Sequence, residues 1–315
     1  MSQATTDEKY MRRCLQLAEC GRENAKPNPM VGAVIVAENR IIGEGYHVRY
    51  GEAHAEVNAF ASICPKDAAL LPSATLYVSL EPCAHQGKTP PCTRLIIEKG
   101  VGRVVVGCID PFAKVQGRGI RMLQEAGIEV TLGVLEAECL ALNRRFIVCQ
   151  HHCRPYIILK WAQTSNGFLD DNNHAMQLST PFTRMLVHQL RADVDAILIG
   201  RHTDEREHPA LTVRDWSGKN PRRIVLTHKL NIHQLMNDLY TEGVQSLLVE
   251  GGATTHQSFL NAGLWDEIRV ETAPVVVTNG TKAASLPKNI QIANTKEYDG
   301  NLITSYIKTD GLQAK

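Results

Sequence analysis

Apolar residues fall at helical spacing at Met11, Cys14, Leu15 and Ala18, which predicts a helix over residues 6–20. Thr6 or Asp7 can cap it and Gly21 can end it. Beyond the loop signal Pro27-Asn28-Pro29, the runs 31–36 and 40–43 predict a strand pair turning at Glu38-Asn39. The pattern then predicts a helix over 54–62, a strand over 75–79, a helix over 91–99 stopped by Gly100, and a strand over 103–107. A helix over 117–126, a strand over 128–132 and one continuous helix over 136–149 complete this half. Strands alternating with helices imply a layered α/β domain.

The string Gln150-His151-His152-Cys153-Arg154-Pro155 is polar and has no regular period, and the alternation restarts after it. Strands are predicted over 156–162, 196–199, 224–227, 245–249, 267–272 and 301–307. Helices are predicted over 181–191, capped by Ser179 or Thr180, and over 254–262. At roughly 150 residues per domain, a chain of 315 residues divides into domains 1–150 and 151–315.

Composition narrows the class. The chain is 43% hydrophobic and 21% charged, which suits a folded rather than a disordered protein. The net charge of +1 offers no overall electrostatic footprint for nucleic acid. No apolar run approaches the roughly 18 residues of a membrane span, and the polar start of the chain lacks the apolar core of a signal peptide. The expectation is a cytoplasmic protein. Nine scattered cysteines, an odd number, suit reduced thiols and metal ligands better than a disulfide framework.

The candidate chemistry centres on His54-Ala55-Glu56, Pro82-Cys83 and Cys92. One imidazole and two thiolates fill three vertices of a zinc tetrahedron and leave the fourth for water, whose pKa falls toward neutrality. Glu56 lies two residues from His54, about 200° around a helix, so it serves better as a proton shuttle than as an adjacent ligand. His-x-Glu followed by Pro-Cys and a second cysteine is the signature of zinc-dependent base deaminases. The pattern departs in its spacing, with Ala-His-Gln-Gly-Lys-Thr-Pro-Pro between Cys83 and Cys92. That insertion brings His85, Lys88 and Thr89, all able to meet an anionic group. The alternative is a closed structural zinc site with His85 as fourth ligand. Glu56 in register and the proline before Cys83 favour catalysis. Cys149-Gln150-His151-His152-Cys153 reads as a linker rather than a second metal site.

These residues resemble the RibD family of riboflavin-biosynthesis enzymes, bifunctional deaminases and reductases, over nearly the whole chain. The resemblance rests on Pro27-Asn28-Pro29-Met30-Val31-Gly32, Gly45-Tyr46-His47, residues 51–56, Leu80-Glu81-Pro82-Cys83, Thr89-Pro90-Pro91-Cys92, Asp110-Pro111 and Val115-Gln116-Gly117-Arg118-Gly119. It implies zinc on His54, Cys83 and Cys92, Glu56 as proton shuttle, and Asn28, His47, His85 and Lys88 as substrate contacts. Asn28 between prolines could equally shape a turn, and His47 could be a core histidine. The implied fold is α/β: an N-terminal cytidine-deaminase-like three-layer domain and a C-terminal dihydrofolate-reductase-like domain that uses NADPH.

The C-terminal resemblance rests on residues 155–160, Leu190-Arg191-Ala192, 195–198, 209–214 and Val249-Glu250-Gly251-Gly252. It implies substrate contacts from Lys160, Arg191, Leu211, Arg214 and Glu250. Nucleotide contacts are implied from Ala162, Thr203, Glu207, Gly252, Ala253, Thr254, Thr255, His256, Gln257 and Ser258. Independently, a strand running into two glycines and a helix offers free N–H groups to a phosphate. The family pattern is departed from at Asn166, Gln177, Glu207 and His208, and the stretch between Thr227 and Gln245 is short, enough to lose a strand and a helix and expose a sheet edge. The implied activity is hydrolytic deamination of 2,5-diamino-6-(5-phosphoribosylamino)pyrimidin-4(3H)-one followed by reduction of its ribose. A deaminase with a structural or dimerising second domain, and a nucleic-acid base deaminase, are the alternatives. The expected partners are that small substrate and further copies of the chain, with neither nucleic acid nor membrane.

Overall fold

The computed structural model describes residues 2–84, 90–110 and 117–309, and the chain divides into two units, Met1–His152 and Cys153–Lys315. Among the described residues, no helix is long and apolar enough to cross a membrane.

The first unit opens with α1 (Gln3–Glu19), β1 (Gly32–Ala37), β2 (Arg40–Tyr46) and α2 (Ala55–Ala61). A 3₁₀ segment, Pro65–Ser73, leads to β3 (Thr75–Leu80), α3 (Cys92–Lys99) and β4 (Arg103–Cys108). Then come α4 (Arg118–Glu125), β5 (Glu129–Leu132), α5 (Glu136–Leu142) and α6 (Arg144–His152). The sheet order is β2-β1-β3-β4-β5, with β3, β4 and β5 parallel and β1 antiparallel to both its neighbours. Every residue of β1 is buried, because the sheet is covered on both faces. Side-chain alternation sends Ala33, Ile35, Leu76, Val78, Val104 and Val106 toward α2, α3 and α4. The opposite set, Val34, Val36, Tyr77 and Val105, packs on Tyr10, Met11, Cys14 and Leu17 of α1 and on Cys139 of α5. The unit is therefore the expected three-layer α/β domain.

Two expectations change here. Ser2, not Thr6 or Asp7, caps α1: its side chain accepts from the backbone N–H of Thr5. Asp7 is buried one turn further in, where its carboxylate meets Arg103 and Tyr77. The helix expected over 136–149 is two helices, interrupted at Asn143. There the backbone takes φ −100° and ψ 15°, and the Asn143 side chain is engaged with the backbone of Met30. The first half of the polar string 150–155 is helical, since α6 runs to His152.

The second unit holds β6 (Tyr156–Thr164), the short pair β7 (Asp170–Asp171) and β8 (His174–Ala175), α7 (Pro181–Asp193) and β9 (Ala196–Gly200). It continues with α8 (Arg201–Glu207), β10 (Arg222–Leu226), α9 (Ile232–Thr241), β11 (Ser246–Gly251) and α10 (Ala253–Asn261). It closes with β12 (Glu267–Ala273), β13 (Ile290–Tyr298) and β14 (Asn301–Lys308). The seven-stranded order is β10-β9-β11-β6-β12-β14-β13, parallel through β12 and antiparallel beyond it. Ile157, Leu159, Trp161, Leu247 and Val249 face Met236 and Leu239 of α9 and Phe259 of α10. The periodicity gave no sign of α8, α9 or β13. The short stretch from Thr227 to Gln245 holds α9, and β10 is left as the outermost strand. β13 forms the other edge and is exposed along most of its length. Asn166 closes a turn, donating to Val277 O at 2.7 Å and accepting from Thr164 Oγ1 at 2.8 Å. Gln177 is exposed, and His208 ends α8 in the left-handed conformation.

Candidate functional site

In the first unit three elements converge beyond the carboxyl end of β3. Cys83 follows that strand, Cys92 is the first residue of α3, and His54 is the residue immediately before α2. His54 Nδ1 lies 3.5 Å from Cys83 Sγ and 3.3 Å from Cys92 Sγ, and all three ligand atoms fall within 4.8 Å of one another. A zinc tetrahedron with ordinary bond lengths has N–S edges of about 3.6 Å and S–S edges of about 3.8 Å. The donor set and its spacing therefore fit zinc. The Cys92 backbone N–H donates to Cys83 Sγ at 3.3 Å, and hydrogen bonding from Cys92 and His54 pulls the Cys83 thiol well below its usual range, toward thiolate.

Glu56 lies in the first turn of α2, 3% exposed and against Cys92. Burial pushes its carboxyl up to about 6, the Cys83 charge adds to the rise, and His54 opposes it. A carboxyl tuned toward neutrality can both take and return a proton.

The His47 ring stands edge-on to His54 with centroids 5.4 Å apart. His47 Nδ1 lies 3.1 Å from Ala53 O, an atom that only accepts, so this nitrogen carries the proton. Nε2 is then bare and accepts from Asn28 Nδ2 at 3.0 Å. Burial pulls the imidazole below its ordinary 6.5 and keeps it neutral. His47 thus aims the Asn28 amide rather than presenting a charge of its own. Of the remaining expected contacts, His85 and Lys88, with Thr89, lie outside the described residues, as do residues 111–116.

Sequence reasoning missed Glu81. Its buried carboxylate accepts from the backbone N–H groups of Asp110, Gly117 and Gly119 at 3.3, 2.9 and 2.9 Å. A glutamate just before Pro82-Cys83 carries no sequence signal for partners some 30 residues downstream.

In the second unit, Lys160, Arg191 and Glu250 meet on the sheet face opposite Leu159, Trp161 and Val249. Arg191 Nε and Nη2 donate to the two Glu250 oxygens at 2.8 and 2.7 Å, with both side chains largely buried. Burial raises the Glu250 pKa, but the Arg191 bonds and the Lys160 charge outweigh it and hold the carboxylate below its usual range. Burial lowers the Lys160 pKa, partly offset by Glu250 and Glu271. Arg191 also donates to Thr212 O at 3.2 Å, which draws in the segment holding buried Leu211 and exposed Arg214. Glu271 was not expected here. It is 2% exposed and accepts from Ser179 Oγ at 2.7 Å and Asn301 Nδ2 at 2.6 Å.

The expected nucleotide residues divide. Gly251 takes φ +151°, a conformation that glycine reaches without strain, and Gly252 caps α10. A Cβ on Gly252 would lie 2.9 Å from Thr203 Oγ1, and one on Gly200 would lie 2.3 Å from Thr255 Oγ1, so each threonine is seated against a glycine of the neighbouring turn. Gly252, Ala253, Thr254 and Thr255 form the start of α10, and Ala162 shares the Lys160 face. His256 turns into the core, where Nε2 donates to Val249 O at 3.0 Å beside Trp161. Gln257 is engaged with Ser285 and Asn261, and Ser258 donates to Thr254 O within the helix. Glu207 pairs with its neighbour Arg206 at the end of α8.

Two family models match the chain: the cytidine and deoxycytidylate deaminase zinc-binding region over residues 4–108, and the RibD C-terminal domain over 155–300. Riboflavin biosynthesis protein RibD of Aquifex aeolicus is 37% identical, over 89% of this chain and 90% of its own. That of Escherichia coli is 34% identical, over 93% and 94%. A solved diaminohydroxyphosphoribosylaminopyrimidine deaminase/5-amino-6-(5-phosphoribosylamino)uracil reductase from Thermotoga maritima superposes with a TM-score of 0.88 at 32% identity, covering 98% of this chain and all of that one.

Proposed function

Because this chain belongs to the riboflavin biosynthesis protein RibD family, we propose that it carries out two consecutive steps of riboflavin biosynthesis, a zinc-dependent deamination and an NADPH-dependent reduction. The observation that carries the first step is the His54–Cys83–Cys92 cluster with buried Glu56 beside it. The substrate is 2,5-diamino-6-(5-phosphoribosylamino)pyrimidin-4(3H)-one. Zinc, when bound, supplies the Lewis acidity that makes water a nucleophile near neutral pH. Glu56 takes a proton from that water and passes it to the ring nitrogen as the water oxygen bonds to C2. It then carries the proton of the new C2 hydroxyl to the 2-amino group, so that the C2–N bond breaks, ammonia leaves and a carbonyl remains. Asn28, held by neutral His47, presents its amide to the pyrimidine.

For the second step, NADPH supplies a hydride to C1′ of the ribose. The C1′–O4′ bond breaks as that carbon is reduced, and O4′ takes up a proton to become a hydroxyl of the ribityl chain. Lys160, whose buried ammonium gives up a proton more readily than an exposed lysine, serves as the donor. Arg191 and Glu250 order the substrate face, and the turn from Gly251 into α10 receives a nucleotide phosphate. Among the alternatives, the match of the second unit to a RibD C-terminal domain favours a working reductase over a structural module. A cytoplasmic location and assembly of several copies fit this reading.

Substituting Glu56→Gln tests the deaminase assignment. Zinc content should be unchanged and ammonia release should fall by about a thousandfold. A variant that still released ammonia at the native rate would remove Glu56 from the mechanism.

A further inference from the structure

We propose that Asn143, at the junction of α5 and α6, is a positioning residue for the deaminase, holding the substrate loop 27–30 in place from outside the zinc-binding region. The inference rests on the deaminase reading and extends it to a residue 51 positions beyond Cys92. Met30 N–H donates to Asn143 Oδ1 at 2.8 Å, and Asn143 Nδ2 donates to Met30 O at 2.9 Å. The amide thus pairs with one residue's backbone as a neighbouring strand would. Among the described residues, neither Met30 group has another partner.

Three features make this more than packing. First, Met30 is two residues from Asn28, whose amide donates to His47, the ring that stands edge-on to the expected zinc ligand His54. The loop is fastened on both sides of Asn28: its own N–H donates to Ala25 O at 2.9 Å, and beyond Met30 the Gly32 N–H donates to Ser79 Oγ at 3.1 Å. Met30 is the point between them; among the described residues its backbone bonds only Asn143, and the next residue, Val31, accepts from His47 N–H at 3.0 Å. Second, Asn143 is 2% exposed, so the pair is shielded from competing water. Third, the backbone leaves helical values at Asn143, with φ −100° and ψ 15°, at the point where its side chain makes the pair, while the i→i−4 bonds continue through it: Asn143 N–H to Cys139 O at 3.4 Å and Ile147 N–H to Asn143 O at 2.9 Å. The matched zinc-binding region ends at residue 108, so Asn143 lies beyond it.

The test uses the full chain. Asn143→Leu keeps the number and branching of heavy atoms and loses both hydrogen bonds; Asn143→Asp keeps the acceptor and loses the donor. With the phosphoribosyl diaminopyrimidinone as substrate, the Leu variant should raise KM about tenfold, the loss expected for two buried hydrogen bonds, and the Asp variant should also raise it. In both, kcat at saturation and zinc content should stay near native, because ligands and Glu56 are untouched. A structural role alone would lower the active fraction, and with it kcat and zinc content together, at unchanged KM; that result would overturn the proposal. If the Leu variant fails to fold, the Asp variant decides on the same two constants. Native enzyme that released no ammonia would instead refute the deaminase reading itself, so the two failures are distinct.

Discussion

Glu56 and Glu250 are both buried carboxylates, and their surroundings tune them in opposite directions. Glu56 has burial and a neighbouring thiolate against it, so its carboxyl rises to about 6 and can exchange protons. Glu250 has the Arg191 fork and the Lys160 charge to offset burial, so it stays ionised. The first carboxyl is poised toward neutral pH and the second stays paired with Arg191. Arg191→Gln should leave Glu250 buried without its partner, at a stability cost of about 3 kcal/mol in the second unit. NADPH-dependent turnover should collapse while ammonia release is retained; parallel assays of the two products check this. At this scale the His54–Cys83–Cys92 cluster was legible because a zinc site needs fixed residue types at short spacings. Glu271 and Asn143 were not. Their partners lie 30 to 113 residues away, and only the fold brings them together.

Helices α1 to α5 of the first unit turn apolar faces to the sheet. A polar tie of α1 is Asp7. Its carboxylate receives Arg103 Nη1 and Nη2 at 2.9 and 2.8 Å and Tyr77 OH at 2.8 Å. Burial raises its pKa, but these donors outweigh that and hold it below the ordinary 3.8. A pKa lower in the folded than in the unfolded chain adds stability above about 3.8 and loses it as pH falls through the folded value. Chemical denaturation followed between pH 5 and 2 should therefore show the first unit weakening as acid is added. Asp7→Asn should be less stable at pH 5 and should show a shallower decline. The apolar stripes of α1 and α7 and the buried strands were read directly from periodicity. The break at Asn143 was not, because a side chain bonding a distant backbone leaves the apolar pattern intact. The edge strand β13 was also missed: exposed along most of its length, it carries no alternation and is defined by pairing with β14.

Across the whole molecule, each unit carries its own core and its own candidate chemistry. The two-part organisation was readable from length and from the restart of the strand–helix alternation. The family pattern survives in the second unit despite its short 227–245 stretch, because the strands that carry Lys160, Glu250 and Gly251 lie inside the sheet, whose edges are β10 and β13. The measurement that bears most directly on the central claim follows both products in one reaction. Zinc-loaded protein is given the phosphoribosyl diaminopyrimidinone, first without and then with NADPH. Ammonia should appear stoichiometrically before any NADPH is added, and NADPH should then be oxidised one-for-one with loss of the deaminated intermediate. Zinc-loaded protein that releases no ammonia, or that releases it and leaves both NADPH and intermediate unconsumed, would contradict the account of a deaminase and a reductase in one chain.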